Sequence, residues 1–284
     1  MKIVYNVVCI GAGGTGTFFL KEFARFMASF RLKDVGDCKR IYLSIVDGDH
    51  VEENNLERQA FIKDDINLNK AVCMAKAIKE NFGLKRVKAY PKYIDEVDDL
   101  NLIFHNFCCS DEDCGSHFNI PIVNILIGCV DNHRVRQVMD RYFNRVYDTI
   151  FYFDSANEYG NGEVVFAGRS KGKLLGRPRA AYFPAILEDT SPRASEISCG
   201  EQNISSPQHI CTNMMAADLL LSRTTALIAE NKIEFGIAIF DVFRMHLAYY
   251  PDQDCIKEED KADERRTEGQ RRGKDANQGV QKAS

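Results

Sequence analysis

Apolar side chains recur along the chain in two alternating textures. Ile3 to Ile10 is an almost unbroken apolar run that stops at glycine, and Phe18, Phe19, Leu20, Phe23, Phe26 and Met27 follow at helical spacing. The pair reads as a strand, a glycine-rich turn and a helix. Ile41 to Val46 is a second apolar run ending at Asp47. Leu68 to Phe82 places Ala71, Ala75 and Ile78 on one helical face, and Arg86 to Tyr90 suggests a third strand. Pro121 to Val130 is another strand of the buried type; it ends at Asp131-Asn132 and leads into a helix through Val135, Val138, Met139 and Tyr142. Runs that are apolar on both faces suit strands covered on both sides, so an α/β fold with a mostly parallel sheet flanked by helices is expected.

Beyond residue 149 the texture changes. Thr149 to Asp154 and Glu163 to Gly168 are separated by a Gly/Asn turn and read as an antiparallel pair, which predicts an antiparallel C-terminal extension of the sheet. A helix from Gln208 to Ala229 follows, and then strand-like Phe235 to Tyr250. From Pro251 to Ser284 nine acidic and eight basic residues stand among thirty-four, with almost nothing apolar to bury. The folded domain is therefore placed at residues 1–250, and 251–284 is expected to be a charged tail, disordered or a solvated helix.

Composition narrows the function classes. The 284 residues carry 37 basic and 41 acidic side chains, a formal charge of −4, so no overall basic field exists to attract nucleic acid. The N-terminal residues lack the apolar core and cleavage site of a signal peptide, and no segment approaches the roughly 18 apolar residues of a membrane span, so the protein is expected in the cytoplasm. Ten cysteines spread through such a chain read as reduced thiols rather than a disulfide framework. Cys9, Cys73 and Cys129 lie in apolar runs and are expected in the core. Cys108, Cys109 and Cys114, with His105 and His117 nearby, have the elements of a metal site but lack a second pair at structural-zinc spacing, and their acidic neighbours equally suit an exposed loop.

The candidate chemistry begins at Gly11-Ala12-Gly13-Gly14-Thr15-Gly16, directly between the first strand and the first helix. Glycines there let the chain turn tightly and let phosphates approach the N–H groups at the positive helix end. A tight packing turn looks similar, and the motif does not say which nucleotide. Asp47, closing the second strand, is placed either to accept from ribose hydroxyls or to cap a turn. After it come Asp49, Asn55-Leu56-Glu57-Arg58-Gln59, Lys70 on a helix and Asp131 closing a later strand. Singly, each of these is as easily a solvated or capping residue.

Taken in order, these elements resemble the ThiF/MoeB family, bacterial relatives of ubiquitin-activating enzymes, over about residues 3–230. Within it, the motif order and the Ser198-Cys199-Gly200-Glu201 segment are most similar to the ThiF-family protein of PRTRC gene systems. The resemblance implies a Rossmann-like sheet and ATP-dependent adenylation of the C-terminal carboxylate of a small β-grasp, ubiquitin-like or sulfur-carrier protein ending in glycine. It implies Gly11, Gly13, Gly14, Gly16, Asp47, Asp49, Asn55 and Gln59 as nucleotide-binding residues, with Asp47 on the ribose and Asn55 and Gln59 orienting phosphate or loop. Arg58 and Lys70 are implied as the phosphate-neutralising cations, Asp131 as the Mg²⁺ ligand and Cys199 as a nucleophile that takes the acyl group as a thioester. A homodimer is the implied assembly. The family's zinc site uses two C-x-x-C pairs in the C-terminal half, which this chain lacks, so no structural zinc is expected.

Two departures stand out: the chain begins at the first strand, without the arginine-bearing N-terminal arm of many relatives, and it carries unusual insertions at Lys33 to Lys39 and 105–119. The first departure motivates an alternative expectation, a non-catalytic nucleotide-binding adaptor that pairs with an active relative. A nicotinamide dehydrogenase is disfavoured, because hydride transfer has no use for the Asn55 to Gln59 block and Lys70.

Overall fold

A computed structural model describes residues 3–31, 39–107, 120–190 and 208–252. Cys199, the Cys108 to Cys114 loop and nearly all of the charged tail lie outside the described residues.

Among the described residues nine strands form one sheet. Strands β1 (Ile3–Ile10), β2 (Lys39–Val46), β3 (Val87–Tyr90), β4 (Ile122–Gly128) and β5 (Ile150–Asn157) run parallel in the spatial order β3-β2-β1-β4-β5. Helices α1 (Gly14–Arg31), α2 (Lys70–Phe82), α3 (Val97–His105) and α4 (His133–Arg145) make the crossovers. The antiparallel extension follows: β6 (Asn161–Ser170) pairs with β5, β7 (Lys173–Gly176) with β6, and the hairpin β8 (Gly236–Asp241) and β9 (His246–Pro251) completes the far edge. Short helix α5 (Arg179–Tyr182) and long helix α6 (Ile210–Glu230) lie between β7 and β8.

Both faces of the parallel strands are covered, which is why their sequences do not alternate. On one face Tyr5, Val7 and Cys9 of β1 pack with Phe19 and Phe23 of α1, Ala71 and Ile78 of α2, and Ala216 and Leu220 of α6. On the other, Val8 and Ile10 meet Leu100 and Ile103 of α3 and Val135, Val138 and Met139 of α4. Asn6, fully buried in β1, donates from Nδ2 to the Phe104 carbonyl at 3.0 Å and to Asn124 Oδ1 at 3.1 Å, while its Oδ1 has no hydrogen-bond partner.

Differences from the sequence reading are local. Helix α2 starts at Lys70 rather than Leu68, because Asn69 takes the N-cap position and accepts from the Val72 N–H, leaving Leu68 exposed. The run 235–250 is two strands rather than one, turned by Asp241, whose carboxylate accepts from the N–H groups of Phe243 and Arg244. Helix α3, absent from the sequence reading, is fixed at its start by Asp99, which accepts from the N–H groups of Asp95 and Glu96.

Candidate functional site

The carboxyl ends of the parallel strands converge on a cleft of about 400 Å³, at the position where parallel α/β sheets bind ligands. The β1–α1 loop forms one wall. Gly11 sits at φ +93°, and a Cβ there would lie 2.3 Å from the Cys129 carbonyl oxygen. Around Gly13, by contrast, nothing lies within 4 Å of such a Cβ, so the loop presents bare backbone to the cleft beside the start of an 18-residue helix.

Asp47 ties this wall to the next. Its Oδ2 accepts from the Ala12 N–H at 2.6 Å and its Oδ1 from the Asp49 N–H at 2.8 Å. Burial, reinforced by the charge of Asp49, pushes the Asp47 carboxyl up to about 6, against the lowering effects of Lys70 and those two N–H groups. Asn69 holds the same stretch from below, donating to the carbonyls of Asp47 and Asp49 at 2.9 and 3.0 Å. The Lys70 ammonium, buried, contacts Asp49 Oδ2 at 3.3 Å, and the Tyr93 hydroxyl donates to Asp49 Oδ1 at 2.6 Å.

The 3₁₀ turn Glu53–Glu57 carries the motif that follows. Asn55 is buried and its Oδ1 accepts from the Glu52 N–H at 3.0 Å, so it orients the loop. Arg58, at the end of that turn, faces the cleft and donates to Gln208 Oε1 at 3.4 Å. Gln59 is buried at the wall, and its Oε1 has no hydrogen-bond partner. Asp131 stands exposed at the opposite side, on the loop between β4 and α4, where Asn132 caps α4 by accepting from the Val135 N–H.

Every nucleotide-site residue expected from the sequence among the described residues thus lines this cleft or, like Gly16, packs directly beneath it. A Cβ at Gly16 would fall 2.0 Å from the Gly11 carbonyl oxygen. Cys129, expected in the core, is only partly buried and contributes to the cleft wall. Other contributors were missed: Thr15, Tyr93, Asn157 and Gln208, with buried Asn213 behind them. Thr15 Oγ donates to Asn157 Oδ1 at 3.2 Å, and the Asn157 amide donates to Asn213 Oδ1 at 2.8 Å, joining α1, β5 and α6 at the cleft edge. These pairs are 142 and 56 residues apart in sequence, and no local pattern announces them. Among the described residues no group of three or more His, Cys, Asp or Glu side chains is arranged to hold a metal ion. No helix of the described residues is long and apolar enough to cross a membrane.

A glycine loop at a helix start, an acid closing the second strand and two cations are brought together over one cleft of a Rossmann-like α/β fold. The family model for the ThiF family matches residues 4–260, and the chain belongs to that family. Among solved structures, Escherichia coli MccB determined with ATP matches with a TM-score of 0.57 and 14% identity, over 87% of this chain and 62% of that one. The same protein with MccA-N7isoAsn gives 0.57 and 14%, over 87% and 64%. Selenomethionine PaaA gives 0.54 and 13%, over 87% and 64%. At these identities the likeness is one of fold, and the chain spans less than two thirds of the length of these structures. No curated protein matches the sequence.

Proposed function

We propose that this chain is an ATP-dependent adenylyltransferase that activates the C-terminal carboxylate of a peptide or small protein. The observation that carries this reading is the convergence of the bare glycine loop, Arg58, Lys70 and Asp131 on one cleft. In the proposed reaction a carboxylate oxygen attacks the α-phosphorus of ATP. A new O–P bond forms, the bond to the β-phosphate bridge breaks, and an acyl-adenylate and pyrophosphate result. Two anions must approach each other, so the site has to supply positive charge where negative charge develops. Arg58, with a planar fork suited to phosphate, and Lys70, as a point charge, do this. Asp47 accepts from the ribose hydroxyls, and the Gly13 region offers backbone N–H groups to phosphate.

Asp131 suits Mg²⁺ as a single hard-oxygen ligand, since Mg²⁺ commonly takes one or two carboxylates and completes its shell with substrate phosphates and water. When bound, the ion supplies charge neutralisation; the protein's part is to hold the Asp131 carboxylate at the cleft. For the acyl donor we favour a small β-grasp protein with a C-terminal glycine, a choice that rests on the family resemblance. MccB has been solved with AMPCPP and MccA together, which supports a fold able to hold a nucleotide analogue beside a second molecule. The proposed second step is attack of the Cys199 thiolate on the acyl carbon, which forms a thioester as the bond to AMP breaks and AMP leaves. Cys211, exposed on the first turn of α6, is the control thiol for it.

Exchange of labelled pyrophosphate into ATP, with Mg²⁺ and a panel of ubiquitin-like domains and short peptides with free C-termini, tests the reading. Exchange dependent on one acyl donor is expected. ATP binding without exchange for any donor would instead favour the adaptor role.

A further inference from the structure

A buried ionic cluster lies directly beneath the β4–α4 loop, and the chemistry above makes no use of it. Arg136 on α4, Asp154 on β5 and Arg179 on α5 are 5, 0 and 2% exposed. Arg179 pairs with the Asp154 carboxylate, donates to the Asp154 carbonyl at 2.8 Å and reaches Glu163 on β6 at 2.7 Å. Arg136 Nε faces Asp154 Oδ2 at 3.4 Å. Two guanidinium groups against two carboxylates leave the cluster formally neutral, the condition under which buried charges persist. Packing is tight around it: a Cβ at Gly128 would lie 2.1 Å from Asp154 Oδ1.

The Arg136 Nη1 lies 3.3 Å from His133 Nδ1, and its Nη2 turns to the cleft. Its Nη2 donates to the carbonyl of Val130, the residue before Asp131, and at 3.0 Å to the carbonyl of Ser155, which lines the cleft on β5. The loop is held from two further sides, by the Cys129 N–H donating to the Ile10 carbonyl at 2.8 Å and by Asn132 capping α4. Among these anchors only Arg136 joins the loop to β5, across the cleft floor.

We propose that Arg136 is a positioning residue, its guanidinium clamping Val130 to Ser155 so that the Asp131 carboxylate stands where a nucleotide-bound Mg²⁺ meets it. The proposal rests on the reading of Asp131 given above. It requires the planar fork: an ammonium at this place keeps the charge beside Asp154 but cannot bridge two carbonyls and a carboxylate at once.

The test is calorimetric ATP binding with and without Mg²⁺, alongside thermal unfolding, for the wild type, Arg136→Lys, Asp131→Ala and the double variant. Arg136→Lys is expected to keep the Mg²⁺-free affinity within about twofold and to cut the gain conferred by Mg²⁺ by at least about fivefold. Asp131→Ala is expected to remove that gain, and the double variant to match it, as two changes on one unit should. If Arg136→Lys does not fold, Arg136→Gln with Asp154→Asn removes both charges together, and the same loss of gain is expected. Three outcomes overturn the proposal: a lowered melting temperature with the Mg²⁺ gain intact, strict additivity with Asp131→Ala, or a wild-type affinity that Mg²⁺ does not change. Intact Mg²⁺-dependent binding without pyrophosphate exchange would count against adenylation and leave the role of Arg136 standing.

Discussion

At the scale of single residues the proposed reaction rests on Arg58, Asp131 and Asp47, and each makes a separate prediction. Arg58→Ala and Asp131→Ala should each lower pyrophosphate exchange by on the order of 10²-fold or more, the usual cost of removing a preorganised charge from a transition state. Steady-state rates beside unchanged melting temperatures check this. Asp47 makes the site pH-sensitive. Its carboxyl is raised to about 6 in the folded protein, so its contribution to stability is fully present below the ordinary carboxylate range and is lost as pH rises through 6. The proposed ribose contact has the opposite preference, because an ionised carboxylate is the stronger acceptor for hydroxyls. Affinity for ATP should therefore fall as pH drops from 7 to 5. Asp47→Asn should weaken binding about 10- to 100-fold at pH 8, as expected for a hydrogen bond to a charged group, and lose that pH dependence. Calorimetry across this range decides it, and an unchanged profile in the variant would exclude Asp47 as the titrating group.

Asn69 shows how a secondary-structure boundary builds the site at the next scale. One amide side chain caps α2 through its oxygen and holds the carbonyls of Asp47 and Asp49 through its nitrogen. Asn69→Ala should cost about 1–2 kcal/mol of stability from the lost cap, and ATP affinity should fall as well. Asn69→Ser should restore the stability but not the affinity, because serine caps well and cannot reach both carbonyls. Denaturant titrations paired with binding curves would show whether the two losses separate. The strands and helices around this boundary were legible because β1, β2 and β4 are apolar on both faces and α1, α2 and α4 keep helical spacing. Helix α3 was not, since its nine residues include Asp98, Asp99 and Asn101 and its apolar face is blurred by Leu102, which points to solvent at 58% exposure. Likewise Gly11 to Gly16, Asp47 and the Asn55 to Gln59 block announced themselves by order and position. The Thr15–Asn157–Asn213 chain and the Arg136–Asp154–Arg179 cluster did not, because their members meet only after β5 and α6 have packed against α1 and α4.

Across the whole molecule the parallel half of the sheet supplies the cleft, and the antiparallel half extends away from it on the β5 side. The edge hairpin leaves Ile239, Leu247 and Tyr250 between 42 and 53% exposed. A homodimer is the assembly proposed from the family resemblance, in keeping with the prevalence of two-fold symmetry. Sedimentation at tens of micromolar should report twice the 32.2 kDa chain mass, and a monomer there would contradict it. The central claim is attack of a carboxylate on the α-phosphorus of ATP, and the most direct measurement follows the oxygen. An acyl donor labelled with ¹⁸O in its C-terminal carboxylate is incubated with the protein, ATP and Mg²⁺, and the released nucleotide is weighed by mass spectrometry. AMP carrying one ¹⁸O from the donor, with pyrophosphate as the other product, is the predicted result. Release of ADP and inorganic phosphate, or AMP labelled only from solvent water, would contradict the account.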